Sequence, residues 1–97
     1  MVLFMRGRGR ERRDRGEIVI DVLRAALDGE VKTRIMFKSN LYYRTFNHIF
    51  SELLDKGFIV RCNGFNGKFL YKTSERGRKV LEAGMKFYNL INTSERN

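Results

Sequence analysis

The sequence predicts an α+β fold that is mostly helical. Three observations carry this: three stretches whose apolar residues recur with the helical period, two short β-rich runs separated by Asn-Gly pairs, and a capped amphipathic helix after them. The order is helix, short helix, turn, helix, hairpin, helix. At 97 residues the chain has the length of one domain, and 42% hydrophobic residues with 12% aromatics are enough for a small core.

The opening is unlike the rest. After the apolar run Met1–Met5, residues 6–16 read RGRGRERRDRG, six arginines against Glu11 and Asp14, interrupted by glycines. With no apolar period to fold around, residues 1–16 are expected to form a flexible basic arm whose cations include Arg6, Arg8, Arg10, Arg12 and Arg13. A first helix is predicted from Glu17 to Asp28, stopping at Gly29. Ile18, Val19, Val22, Leu23, Ala26 and Leu27 cover a broad arc of it, opposite Asp21, Arg24 and Asp28, so it should pack on more than one side.

A short second helix fits Thr33–Ser39, with Val31 extended before it and Ile35 and Met36 as core contacts. Asn40 and Leu41 form the turn, since Asn tolerates left-handed backbone. The third helix runs from about Tyr43 to Lys56 and ends at Gly57; Phe46, Ile49, Phe50, Leu53 and Leu54 make an i, i+3, i+4, i+7, i+8 stripe. Strands are predicted at Phe58–Cys62 and Lys68–Lys72, with the two Asn-Gly pairs of Asn63–Gly67 supplying positive φ for the hairpin. Ser74 caps a last helix, with Glu75 in its first turn, running to about Asn92. A helix-turn-helix followed by a two-stranded wing and a long C-terminal helix is a winged helix-turn-helix. Residues 1–16 are assigned to the arm, 17–73 to the winged helix-turn-helix, and 74–97 to a C-terminal dimerisation helix and tail.

Composition narrows the function. Twenty Lys and Arg against 11 Asp and Glu leave a net charge of +9, which favours a polyanionic partner. One cysteine, Cys62, and one histidine, His48, make neither an internal disulfide nor a His/Cys zinc site, so no metal is expected. No apolar run approaches the roughly 20 residues that cross a bilayer, and the expected home is the cytoplasm, in association with the nucleoid. GxxxxGK[ST], GxSxG and HExxH motifs are all missing, so the chain is expected to be no enzyme and to need no cofactor.

The stretch Lys32-Thr-Arg-Ile-Met-Phe-Lys-Ser-Asn-Leu-Tyr-Tyr43 resembles the helix-turn-helix of small archaeal winged-helix proteins, where a segment of the type KTRIMYKANLSY precedes an apolar helix and a Leu-Leu-x-x-Gly-Leu/Phe-Ile close. Here the close is Leu53-Leu-Asp-Lys-Gly-Phe-Ile59, and the family's Tyr-Lys-Leu-Thr-x-x-Gly-Arg-x-x-Leu-Glu is matched by Tyr71-Lys-Thr-Ser-Glu-Arg-Gly-Arg-Lys-Val-Leu-Glu82. The resemblance spans about residues 17–92 and implies a dimeric DNA-binding protein, either a transcriptional regulator or a chromatin-associated protein, dimerising through its last helix. Two departures stand out. Tyr42 replaces the usual Ser, which removes a helix cap, and Thr73 replaces an aliphatic residue, which weakens a core contact.

On the third helix, Arg44, Asn47, His48 and Ser51 lie opposite the buried stripe, the first three in the half that a recognition helix presents to base edges. Arg can bridge guanine O6 and N7, and Asn adenine N6 and N7. Any exposed helix face is polar, however, and Asp55 on the same side is acidic. Of Tyr42 and Tyr43, one is expected to staple onto the core and the other, Tyr43, to reach phosphate. Lys32, Thr33, Arg34 and Lys38 are expected on the DNA backbone, as are Arg61, Asn63, Asn66 and Lys68 of the wing. Phe65 at the wing tip either wedges against DNA or folds back on the hairpin, folding back being the expectation. The last helix has an apolar arc of about 160°, wider than one packing face needs. Its surplus, with Leu81, Gly84, Met85, Tyr88 and Ile91, predicts a homodimer, the alternative being cover for Met1–Met5.

The leading expectation is a homodimer that binds double-stranded DNA and regulates transcription. An architectural chromatin protein with weak sequence preference is the nearest alternative, then a winged-helix protein-interaction module, then RNA binding through the arm.

Overall fold

The computed structural model describes residues 13–96, and the patterned segments fold in the predicted order. Arg6, Arg8, Arg10 and Arg12 of the expected arm lie outside the described residues. Helix α1, Arg15–Ala25, starts two residues before the expected Glu17 because Asp14 and Glu17 form a reciprocal capping box. Asp14 Oδ1 accepts from the Glu17 amide at 2.8 Å, and Glu17 Oε1 accepts from the Asp14 amide at 3.1 Å. The end of the expected arm is therefore ordered. Arg13 donates to Asp21 Oδ2 at 2.5 Å and to the carbonyls of Ser39 and Asn40 at 2.9 and 2.8 Å.

Those two carbonyls close helix α2, Lys32–Ser39, whose C-cap Asn40 is left-handed at φ 57°, as the turn reading required. Arg13 thus grips the helix-turn-helix corner and ties it to α1. Helix α3, Tyr43–Asp55, buries Phe46, Ile49, Phe50 and Leu53 as its stripe predicts, with Leu54 half-buried, and Gly57 follows at φ 76°. The N-cap Tyr42 supplies no side-chain cap, in line with the lost Ser.

Strands β1, Ile59–Asn63, and β2, Phe69–Thr73, pair antiparallel with Ile59 opposite Thr73, one residue later than expected at each. Phe58 is withheld from the ladder because its amide caps α3 at the Leu53 carbonyl (2.9 Å) and its carbonyl accepts from the Ser74 amide (2.9 Å). Only the second Asn-Gly pair is left-handed, Asn66 at φ 60° and Gly67 at φ 73°. Gly64 is extended at φ −110°, and a Cβ there would lie 2.9 Å from the Lys68 carbonyl oxygen, so close approach explains it instead. A single bridge joins Glu30 to Tyr71 beside β2.

Helix α4, Glu75–Arg96, is longer than the expected end at Asn92. Ser74 caps it, its Oγ accepting from the Gly77 amide at 3.1 Å while donating to the Gly57 carbonyl at 2.6 Å. The core joins Val22, Leu23 and Ala26 of α1 and its terminus to Ile35, the α3 stripe, Ile59 and Leu81, with α1 packed against both α2 and α4. Phe50 stacks on Phe46 and meets Tyr71 edge-on, each at 5.0 Å between centroids. Three helices, a two-stranded wing and a long last helix make the predicted winged helix.

Thr73 corrects one expectation. It is fully buried, yet its Oγ1 donates to the Leu23 carbonyl at 2.7 Å and its amide to the Ala26 carbonyl at 3.0 Å. The Leu27 amide, which would ordinarily serve Leu23, bonds to Arg24 instead (3.2 Å), so Thr73 completes the C-terminus of α1 from the wing. A core contact is replaced by a hydrogen bond rather than weakened. Thr73→Val keeps the shape and orphans the Leu23 carbonyl; it should cost about 1–3 kcal/mol in urea unfolding, with the slope unchanged.

Candidate nucleic-acid interface

The exposed face of α3 is set by the depth of its buried stripe. With Phe46, Ile49, Phe50 and Leu53 inside, Tyr43, Arg44, Asn47, His48 and Ser51 line one shallow concave surface. All four residues predicted to meet bases are thus brought together, with Tyr43 beside them. Arg44, His48 and Ser51 are exposed and Asn47 is half-buried. Arg44 has no ion-pair partner among the described residues. Asn47 Oδ1 accepts from Lys32 Nζ at 3.1 Å, which fixes the amide and leaves its NH2 and a second lone pair on Oδ1 available. Lys32 also lies 5.3 Å from the Phe50 centroid, so its ammonium is turned onto α3. Tyr42 and Tyr43 are both exposed, so neither ring is buried as the expected staple; the residue buried at this entrance is Leu41, just before them.

The cations of α2 are partly committed. Glu30 Oε2 pairs with Lys38 Nζ at 3.2 Å and with Arg34 Nε at 3.5 Å, while Oε1 accepts from the Val31 amide at 3.1 Å. The Val31 amide above all, then Lys38, holds the Glu30 carboxyl below its ordinary pKa, with partial burial opposing them. Thr33 is exposed on the same helix. Phe37, also exposed there, was not singled out from the sequence; its position between Ile35 and Ser39, off the buried side, was the available signal.

Along the wing, residues alternate between faces. Arg61, Asn63, Phe69 and Tyr71 share one face through the pairs Arg61–Tyr71 and Asn63–Phe69. At its base that face meets Phe50 of α3 through Tyr71; farther out it presents Asn63 and the Arg61 guanidinium, stacked 4.3 Å from the Phe69 centroid. Phe69 was missed because its importance depends on register. Asn66 and Lys68 are exposed at the tip. Phe65 is 91% exposed, so the expected fold-back onto the hairpin does not occur; the closed turn directs its ring outward.

On α4 most of the expected dimer residues are spent within the chain. Leu81 is 4% exposed in the core, and Met85 is half-buried against it. A Cβ at Gly84 would lie 2.2 Å from Ile20 Cδ1, so the close helix approach is with α1. The Tyr88 hydroxyl donates to Asp14 Oδ1 at 3.0 Å, and burial, followed by Asp14, raises its pKa. Wheel arithmetic measures the width of an apolar arc and does not say who covers it. Ile91 stays exposed, joined by Phe87 and by Leu90 at 61% exposure. Among the described residues, no helix is long and apolar enough to cross a membrane.

The sequence profile of the winged helix-turn-helix family matches residues 12–92. The chain is 28% identical over 85 residues to an uncharacterized protein of Methanocaldococcus jannaschii, covering 87% of this chain and 82% of that one. A second uncharacterized protein of the same organism is 32% identical over 81 residues, covering 82% of this chain, but this chain spans only 36% of its length. Among solved structures, the fold is similar to Sso10a-2, a DNA-binding protein from Sulfolobus solfataricus, at a TM-score of 0.71 and 22% identity over 87% of this chain and 92% of that one. A probable transcriptional regulator from Pseudomonas aeruginosa matches at a TM-score of 0.70 and 20% identity, over 91% of this chain and 68% of that one.

Because its carboxyl titrates low in the folded state, Glu30 contributes stability that is fully present above the ordinary carboxylate pKa and is lost as pH falls through the depressed one. Urea midpoints of wild type and Glu30→Gln, taken between about pH 2 and 7, should differ most near neutrality and converge in acid.

Proposed function

The chain belongs to the winged helix-turn-helix family, and we propose that it is a homodimeric regulator of transcription that binds double-stranded DNA. The family is not an enzymatic one, and the protein is not an enzyme. One observation carries the proposal: Arg44, Asn47, His48 and Ser51 gather on a single open face of α3, with Arg44 in no ion pair among the described residues and Asn47 pre-set by Lys32. Such a face suits the donors and acceptors of a major groove, with Arg44 and Asn47 as its bidentate readers. Tyr43, Thr33 and the wing residues Arg61, Asn63, Asn66 and Lys68 would hold phosphates on either side. Arg34 and Lys38 would do so in competition with Glu30. Arg6, Arg8, Arg10 and Arg12 add affinity without sequence preference, which salt weakens. The likeness to Sso10a-2, a DNA-binding protein, and to the probable transcriptional regulator of Pseudomonas supports the same reading. Its place of work is then the cytoplasm, at the nucleoid.

Dimerisation rests on Phe87, Leu90 and Ile91, spaced i, i+3, i+4 and exposed on the outer half of α4. A two-fold axis there pairs the stripe with itself. Sedimentation equilibrium should give a dimer for wild type and a monomer for Leu90→Glu, with the circular dichroism of the two alike. A wild-type monomer at all concentrations overturns the dimer.

For DNA, duplexes selected by the protein from a random pool are compared with scrambled ones by fluorescence anisotropy. Arg44→Ala with Asn47→Ala should abolish the preference, each bidentate contact being worth about 1–3 kcal/mol, while binding to scrambled duplex changes little. A preference that survives both substitutions overturns α3 as the reader. An equal affinity of wild type for all duplexes would instead favour the architectural role.

A further inference from the structure

We propose that Phe65 is a wedge that enters the minor groove of duplex DNA, opens a base step and bends the helix. The proposal rests on the DNA-binding reading and adds to it a mechanical action at a second place on the duplex.

Phe65 is the most exposed large apolar side chain among the described residues, at 91%. It stands on a turn built to hold it there. The Gly64 amide donates to the Lys68 carbonyl at 2.8 Å, and the Lys68 amide donates back to the Phe65 carbonyl at 3.2 Å. Asn66 and Gly67 then take left-handed angles, φ 60° and 73°, that a Gly and an Asn adopt most readily. A Cβ at Gly64 would meet the Lys68 carbonyl oxygen at 2.9 Å and Leu70 Cγ at 3.0 Å, so the turn closes without room for a larger residue. The ring is therefore presented in water on a short turn whose backbone these bonds hold closed, so the support needs no ordering before a partner arrives.

The surroundings select the partner. From Ile59 to Thr73 the sequence holds Arg61, Lys68 and Lys72 and no acidic residue. Arg61 is held against Phe69 at 4.3 Å, one hairpin face below the tip, and Lys68 follows the turn. An apolar ring flanked by cations on a projecting hairpin suits a polyanion with an apolar interior reached through a narrow slot. Duplex DNA has both: phosphates along the rims and stacked bases beneath. Apolar side chains inserted from the minor groove unstack one base step and bend the duplex by about 20–90°. Pyrimidine–purine steps open most readily, so TA and CA/TG steps are the expected sites.

The wing and α3 are held in fixed relation through Tyr71 on Phe50, so α3 can engage the major groove while Phe65 acts on the neighbouring minor groove. A kink of this kind closes toward the major groove, the side that α3 would occupy.

The test uses the full chain and an A·T-rich duplex of about 30 base pairs with TA steps, labelled at its ends for energy transfer and carrying 2-aminopurine at one step. Anisotropy on the same duplex reports binding. On binding, wild type should raise energy transfer and raise 2-aminopurine fluorescence about twofold or more, the sign of unstacking. Phe65→Ala should leave the duplex straight and stacked while its Kd changes by less than about tenfold, and Phe65→Leu, still apolar, should keep much of the bend. Circular dichroism confirms that both variants fold, as a fully exposed position allows. If wild type binds without bending, or Phe65→Ala bends as wild type does, the wedge is overturned and the DNA-binding reading stands. If wild type fails to bind duplex even at low salt, both fall.

Discussion

Two hydrogen bonds from Thr73 to the last turn of α1 set the frame on which the functional surfaces depend. They join the end of the hairpin to the carbonyls of Leu23 and Ala26 at the end of the central helix, the first of them 50 residues earlier in the chain. The bridge between Glu30 and Tyr71 fastens the same edge of β2 two residues earlier, with the Tyr71 amide donating at 2.8 Å and the Glu30 amide at 3.0 Å. Tyr71 in turn lays its ring against Phe50, inside α3. The wing is thus not an appendage hung from a loop. Its base is part of the core, and the rigid lever that results runs from the centre of the domain to Phe65.

The same frame shows what can be read from a sequence and what cannot. Local signals were legible: the stripe of α3, the left-handed Asn40, the stop at Gly57 and the Ser74 cap each depend on a few adjacent residues. The grouping of Arg44, Asn47, His48 and Ser51 followed from the same stripe, because on one helix the outside is the complement of the inside. What failed depended on partners distant in the chain. Thr73 looked like a weakened core contact until Leu23 was known to face it. Gly84 and Tyr88 looked outward-facing until α1 was placed beside them. Gly77, visible only as a member of a motif, is dictated by the Phe58 carbonyl oxygen, 2.1 Å from where its Cβ would sit.

Charge shows the same division. A surplus of +9 suggests a uniformly cationic protein, but the cations have separate duties. Arg13 is held by Asp21 and by the carbonyls that close α2, Arg15 pairs with Glu52, and Arg34 and Lys38 share Glu30. Buffering of this kind takes those four cations out of reach, while Arg44, Arg61 and Lys68 are among the described cations that these acids do not claim. A count of basic residues therefore overstates the electrostatic footprint, and the position of the acids decides where the remaining field points.

The bond between Tyr88 and Asp14 links residues 74 positions apart, and Leu81, Met85 and Gly84 cover the same helix that Asp14 begins. On the ribosome, α1 is made first and its cover last. At ordinary elongation rates the Ile20 side of α1, which Gly84 meets, would wait roughly 4–15 s for α4 to be made. Throughout that interval one apolar side of α1 stays uncovered, while α2, α3 and the wing that pack on its other side are already made. Closure is thus timed by translation itself, and the domain should become native late and all at once.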